Sequence, residues 1–320
     1  MSTSEPLEAK PERPEDIKAV PVRRPGRWIA AVIVLVIVAS IVRSVVTNPN
    51  FEWSIVGQYL FDPRILHGVV VTIELTVIAM IIGVVLGMLL AVMRLSPNPV
   101  VKFGSWAYIY FFRGTPVLVQ LLFWGFIAAL FKKIDLGVPF GGPNLVHANS
   151  NDLITPFVAA ILGLGLNEGA YMAEIIRAGI LAVDPGQTEA AKSLGMGYRQ
   201  TMSRIVLPQA ARVIIPPLGN EFNNMLKTTA LLFVLGIQEL YNTFVIKQGN
   251  NFLPFEMYLA CAVWFLLLTT IWGVFQSWIE RRLSKGAPGT QQQGPGLAQR
   301  FFGLRGSAPA PDAASTAGTH

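Results

Sequence analysis

Charge is scarce in this chain. Only 14% of its 320 residues are Asp, Glu, Lys or Arg, against 52% hydrophobic residues, too apolar a balance for a soluble globular fold. With a mean hydropathy of +0.49, the excess apolar surface needs lipid. Cysteine is almost absent. The single Cys261 excludes an intrachain disulfide and, within an apolar run, reads as a buried helix filler. No Gly-x-x-x-x-Gly-Lys-Ser/Thr phosphate loop occurs, so any ATP must be hydrolysed by another polypeptide, and no catalytic residue or cofactor is expected here. No internal repeat is visible, which counts against carriers built from inverted halves. Nor does the net charge of +6 indicate nucleic-acid binding, because the basic residues fall between apolar stretches and at the two ends.

What is present is a series of long apolar runs. A bilayer core takes roughly 20 apolar residues per helix. Runs at about 28–46, 68–93, 103–130, 153–176, one opening at Pro208, and 255–279 predict an all-α integral membrane protein with six transmembrane helices. The first is read as a retained anchor rather than a signal peptide, since it is long and lacks a small-residue cleavage site after it. The third contains a polar break, Arg113-Gly114-Thr115-Pro116, and Lys132 and Lys133 with a Gly/Pro/Asn-rich loop close it. Near Leu231 to Ile237 hydropathy leaves two readings open, a re-entrant segment or a separate helix. Residues 1–27 and 283–320, rich in Pro with charge or in Gly, Pro, Gln and Ala, are expected to be disordered tails.

Basic residues set the expected orientation. A cytoplasmic N-terminus places Arg23, Arg24, Arg27, Arg94, Lys102, Lys192, Arg199, Arg204, Arg212, Arg281, Arg282 and Lys285 inside, against Arg43, Arg64, Lys132, Lys133 and Lys247 outside. Both termini and the polar segment 177–207 then face the cytoplasm of a multi-pass inner-membrane protein.

That polar segment carries a spaced pattern: Glu189-Ala190-Ala191, three residues, Gly195, nine residues, then Ile205-x-Leu207-Pro208. Pro185 and Gly186 make a turn and Thr188 is the expected cap of a short helix beginning with Glu189, as the helix dipole prefers. The two alanines let a partner approach closely. Gly195 suits a left-handed helix end, and Pro208 the first turn of the next membrane helix.

The complete spacing resembles the Glu-Ala-Ala loop by which permeases of ATP-binding-cassette importers dock on their ATPase subunits. The resemblance runs over about 66–282 and is closest to the polar amino acid subfamily. Arg94-Leu95-Ser96 with Asn98-Pro99, Phe112 to Pro116 with Val119-Gln120, Ala170 to Ile175 with Arg177, Gly186-Gln187, and Pro217 to Phe222 carry it. It implies a five-helix type I permease core, here the second to sixth runs, with an extra N-terminal helix outside the pattern. It also implies a second permease subunit, identical or related, cytosolic ATPase subunits that use the ATP, and an extracytoplasmic amino-acid-binding protein. An ion-coupled secondary carrier of amino acids is the alternative from another class.

Ionisable groups within a membrane are costly, by about 2.5 to 3.5 kcal/mol at the centre of a helix on insertion scales, and so tend to face a pathway or a partner. The tentative substrate-pathway set is Glu168, Asn220, Glu221 and Lys227, with Glu74 and Arg113 as further candidates. Glu174 and Arg177, three apart, are expected to pair with one another. The Gly83 to Gly87 spacing is expected to serve helix packing.

Overall fold

The computed structural model describes residues 25–137, 144–251 and 253–284. It divides into two units, 1–53 and 54–320. The predicted tails lie almost wholly outside the described residues, although the chain is already helical from Pro25 and remains so to Ser284.

The described part of the first unit is dominated by one helix, α1 (Pro25–Val46). All of its large apolar side chains are exposed around the full circumference, as expected of a helix whose solvent is lipid on every side. Trp53 returns its indole N–H to the Val46 carbonyl at 3.3 Å just past the helix end.

Among its described residues, the second unit is helical but for one hairpin. In chain order it holds α2 (Trp53–Leu60), α3 (Pro63–Leu95), α4 (Pro99–Gly114), α5 (Val117–Gly125), α6 (Ile127–Leu130), strands β1 (Lys133–Gly137) and β2 (Asn144–Asn149), and α7 (Ser150–Leu153). Then come α8 (Pro156–Leu181), α9 (Pro185–Ser193), α10 (Tyr198–Thr201), a π-helical turn (Met202–Val206), α11 (Leu207–Thr228), a 3-10 segment (Thr229–Leu235), α12 (Leu240–Asn251) and α13 (Pro254–Ser284). The hairpin corrects the all-α expectation. Its antiparallel strands pair Lys133 with Asn149 and Ile134 with Ala148, so backbone groups leaving the broken third run are satisfied by one another.

Helix starts follow one local rule. Asp62, Asn98, Thr155 and Asp184 each precede a proline, and each side chain accepts an N–H from the first turn that follows. The cap supplies an acceptor that the chain lacks, and proline has no N–H to leave orphaned. For α9 this overturns the expected cap: Asp184 accepts from Gly186 N at 2.8 Å, while Thr188 lies inside the helix.

Among the described residues, three helices are long and apolar enough to cross a membrane: Gly26–Val46, Pro63–Leu95 and Pro254–Leu283. A fourth crossing results if Tyr198–Leu235 and Leu240–Gly249, bent by 47°, count as one. The six-helix expectation is therefore not met by length and composition. The third run is split at Gly114, Gly125 and Phe131, and α8 carries Glu168, Glu174 and Arg177 along its length.

α3 and α8 run parallel and form the most extensive helix pair. Their contact is made by glycines on both sides: Gly83 and Gly87 of α3 lie on Glu168 and Met172 of α8, while Gly165 and Gly169 of α8 lie on Ile82 and Leu86 of α3. Backbones can approach this closely only where no Cβ intervenes. Leu75, Leu121, Leu164, Met172 and Leu232 fill the adjoining core. Along the opposite edge, Trp272 and Gln276 of α13 donate to the carbonyls of Gly219 at 2.7 Å and Pro216 at 3.2 Å. These donors brace α11 beside its two internal prolines, Pro216 and Pro217.

The stretch 231–237 is not a separate α-helix. It is a 3-10 continuation of α11 with Leu232 fully buried, and it stops at Gly236, whose φ of +73° is left-handed. Cys261 is buried in α13.

Candidate functional site: a carboxylate-lined cavity and an exposed short helix

Two places in the second unit bring unusual groups together. The first is a cavity of about 460 Å³ walled by α8, by the α4–α5 break and by the C-terminal half of α11. Arg113, Gly114, Thr115 and Pro116 form one side, Asn167, Glu168 and Tyr171 another, and Glu221, Asn224 and Thr228 the third. Its volume is that of a small-molecule site.

Glu168 is 4% exposed, and its Oε1 has no hydrogen-bond partner. A buried acceptor left unmade is costly, so this oxygen is a place where a donor belongs. Glu221 adds a second carboxylate to the same wall, and Asn224 donates to it at 3.5 Å. Arg113 contributes the one cationic side chain among the lining residues, its guanidinium 5.1 Å from the centre of the Tyr171 ring.

The wall at the helix break is held by amides. Gln120 donates through Nε2 to the Phe112 carbonyl at 3.0 Å, to the Thr115 carbonyl at 3.1 Å and to the Thr115 hydroxyl at 2.8 Å. Asn167 donates to the same Phe112 carbonyl at 2.9 Å and to Gln120 Oε1 at 3.3 Å. Backbone groups freed where α4 stops are thus satisfied inside protein.

Of the four tentative pathway residues, Glu168 and Glu221 line the cavity, and Asn220 and Lys227 do not. Asn220 turns to α13, where its Oδ1 accepts from Gln276 at 3.2 Å. Lys227 is exposed on α11 and Glu74 on α3. Glu174 and Arg177 pair as expected, at 2.7 Å. Sequence reasoning missed the role of Tyr171, which passed as part of a motif; Asn167 and Asn224, two of the four asparagines it set beside the charged candidates, both line the cavity.

It also missed Glu239, which is fully buried. Glu239 precedes α12 and accepts the backbone N–H groups of Asn242 at 2.7 Å and Tyr241 at 2.9 Å, and the Thr72 hydroxyl at 3.4 Å. The signal is present in the sequence: an acid three residues after Gly236 and directly before a helix is a capping pattern.

The second place is α9 with the turn after it. Glu189 and Ala190 are exposed, but Ala191 is only 3% exposed. Adjacent residues on a helix point about 100° apart, so one alanine faces outward while its neighbour packs inward. This corrects the expectation that both are on offer. Gly195 has a φ of +77°; its N–H goes to Lys192 O at 2.9 Å and that of Met196 to Ala191 O at 3.1 Å, closing the helix as a left-handed glycine does. Leu194 and Tyr198 flank it at 82% and 77% exposure.

Ile205 is half-buried, and Leu207 and Pro208 are exposed. Pro208 sits in the first turn of α11, yet the chain enters helically through the π turn, where Leu207 N bonds to Met202 O. The widened turn accommodates a ring that would otherwise strike the carbonyl four residues back.

The family model described as the binding-protein-dependent transport system inner membrane component matches residues 83–285. The arginine transport system permease protein ArgU of Corynebacterium glutamicum is 46% identical over 283 residues, covering 88% of this chain and 88% of that protein. The probable amino-acid permease protein YxeN of Bacillus subtilis is 38% identical over 223 residues, covering 70% and 92%. Among solved structures, an amino acid ABC transporter crystallised with histidines superposes with a TM-score of 0.62 at 36% identity, covering 72% of this chain and 100% of that one.

Proposed function

From a chain that belongs to the family of binding-protein-dependent transport system inner membrane components, and is a permease subunit of an amino-acid ABC importer, we propose that the cargo is a cationic amino acid held in the cavity of Glu168 and Glu221. The observation that carries this is Glu168 itself: a residue that lines the cavity, is almost shut off from solvent, and has one carboxylate oxygen with no hydrogen-bond partner. An ammonium or guanidinium is the donor such a site lacks. Arg113, which lines the same cavity, supplies the opposite sign for an α-carboxylate. Two similar proteins, an arginine transport system permease and an amino acid ABC transporter crystallised with histidines, support the same cargo class.

The permease crosses the membrane six times, with α1, α3, the broken α4–α6, α8, α11 and α13 as the crossings. Both termini face the cytoplasm by the distribution of Lys and Arg. A separate ATPase docks on Glu189, Ala190 and the Gly195 turn and supplies the ATP-driven step. A second permease half, identical or related, completes the channel, and an extracytoplasmic binding protein delivers cargo. Family membership sets aside the ion-coupled carrier.

The cargo reading is tested with the purified permease–ATPase complex in lipid nanodiscs, by equilibrium binding of L-arginine and of its neutral isostere L-citrulline. Glu168→Gln is expected to cut the preference for arginine at least about tenfold, the scale of a charge-assisted hydrogen bond of about 1.5–3 kcal/mol. An unchanged preference rejects a cationic cargo at this carboxylate.

A further inference from the structure

The four glycines between α3 and α8 do not face the same kind of neighbour. A Cβ on Gly165 would meet the Ile82 side chain, nearest atom 2.9 Å, and one on Gly169 the Leu86 side chain, nearest atom 2.7 Å. One on Gly87 would fall on Met172, both its side chain and its backbone. Gly83 differs from these three: its Cβ would lie 2.5 Å from Cγ and 2.8 Å from Cβ of Glu168. The hydrocarbon stem of the cavity carboxylate therefore lies across the bare backbone of Gly83, where any side chain would displace it.

That stem has little freedom to move elsewhere. α8 lies close against α3 on the neighbouring turns as well, where Gly87, Gly165 and Gly169 are seated against Met172, Ile82 and Leu86. Close-packed interiors transmit such a displacement instead of absorbing it. The carboxylate at the end of the stem is 4% exposed, has an unpartnered oxygen and belongs to the cavity wall. An independent feature on this surface thus points to a ligand, beyond the glycines themselves.

We propose that Gly83 is a positioning residue for cargo selection: it leaves the space that lets the Glu168 carboxylate stand where a cationic side chain is recognised. The proposal rests on the cargo reading above and adds a residue that never touches the cargo. A glycine serving only to pack the helices would alter assembly and leave the charge preference alone. A positioning glycine alters the charge preference, and does so only while residue 168 carries its charge.

The test uses the complete permease–ATPase complex in nanodiscs and reads the citrulline-to-arginine ratio of dissociation constants. Gly83→Ala is expected to lower that ratio roughly tenfold, since small displacements of a recognising group change discrimination on that scale. Gly68→Ala, at a packing glycine of α3 set against Thr243 and Leu240 and not against α8, keeps the wild-type ratio. Combined with Glu168→Gln, Gly83→Ala adds nothing to the loss already present. A wild-type ratio in Gly83→Ala alone, or an equal further loss when it is combined with Glu168→Gln, overturns the proposal while leaving the cargo reading in place. An unaltered ratio in Glu168→Gln alone overturns both.

Should Gly83→Ala fail to assemble, Glu168→Asp decides, because it withdraws the carboxylate by one methylene with Gly83 unchanged. A lowered ratio then supports positional control, and a wild-type ratio rejects it.

Discussion

Glu168 and Glu239 are both carboxylates removed from solvent beside α3, and their surroundings are opposite. Glu239, at the junction of α3 and α12, receives two backbone N–H groups and a threonine hydroxyl. Glu168, at the junction of α3 and α8, keeps an oxygen with no donor. A buried polar group whose bonds are made holds a structure together, whereas one left open is stable only because the rest of the fold outweighs its cost. The first kind of residue belongs to the scaffold, and the second is the kind on which the proposed cargo site is built.

Substitution should separate the two. The largest stability loss is expected at the satisfied site: Glu239→Leu orphans the first N–H groups of α12 and frees Thr72, costing about 3 kcal/mol at roughly 1–3 kcal/mol per abandoned group. Thermal unfolding in detergent should show it, and the surviving folded fraction should still bind arginine. Should Glu239→Leu retain wild-type stability while Glu168→Gln loses it, the comparison is reversed and the assignment of scaffold and ligand site fails.

A smaller effect is expected at Gly195, which lies in neither carboxylate region. Gly195→Val forces a β-branched residue into a left-handed conformation, at about 1–2 kcal/mol, confined to an exposed helix end. Immunoblots should find normal membrane levels, and uptake assays should find transport abolished. Normal uptake would mean that α9 does not transmit the ATPase cycle.

Smallest of all is a third carboxylate, Asp62, which is paired where Glu168 is open but lies near the surface where Glu239 is buried. Lys247 reaches it at 2.6 Å, and this hydrogen bond holds its pKa below the usual carboxylate range, with burial opposing and the Arg64 N–H assisting. A lowered folded pKa means stability present above the ordinary value and lost as pH falls through the folded one. Asp62→Asn should therefore cost about 1 kcal/mol or less at neutral pH, with the gap to wild type closing below about pH 4. A gap that does not narrow at all as pH falls below about 4 would show that the pair's charge is not its contribution.

These contrasts also mark how far the chain can be read without coordinates. Glu174 with Arg177 and the left-handed Gly195 are legible because each depends on residues within four positions of one another. The different fates of Ala190 and Ala191 are not, because the face a short helix turns inward depends on what packs beneath it, here the turn leading into α11. Glu168 and Glu221 stand out in the sequence as polar residues in apolar runs, and so do Asn220 and Lys227. Only the first two line the cavity, since which side of α11 faces it depends on α8 and α13.

Composition and the long apolar runs alone determined a helical membrane protein, because lipid imposes helix length and apolarity residue by residue; the spaced Glu-Ala-Ala pattern added the resemblance to an importer permease. Tertiary structure decided which charge is left open, which glycine makes room for it and which acid is a cap. Thr72 meets Glu239 across 167 positions, and Gly83 meets Glu168 only because two helices lie parallel at glycine distance. No local preference encodes such meetings, since they arise from how the helices pack.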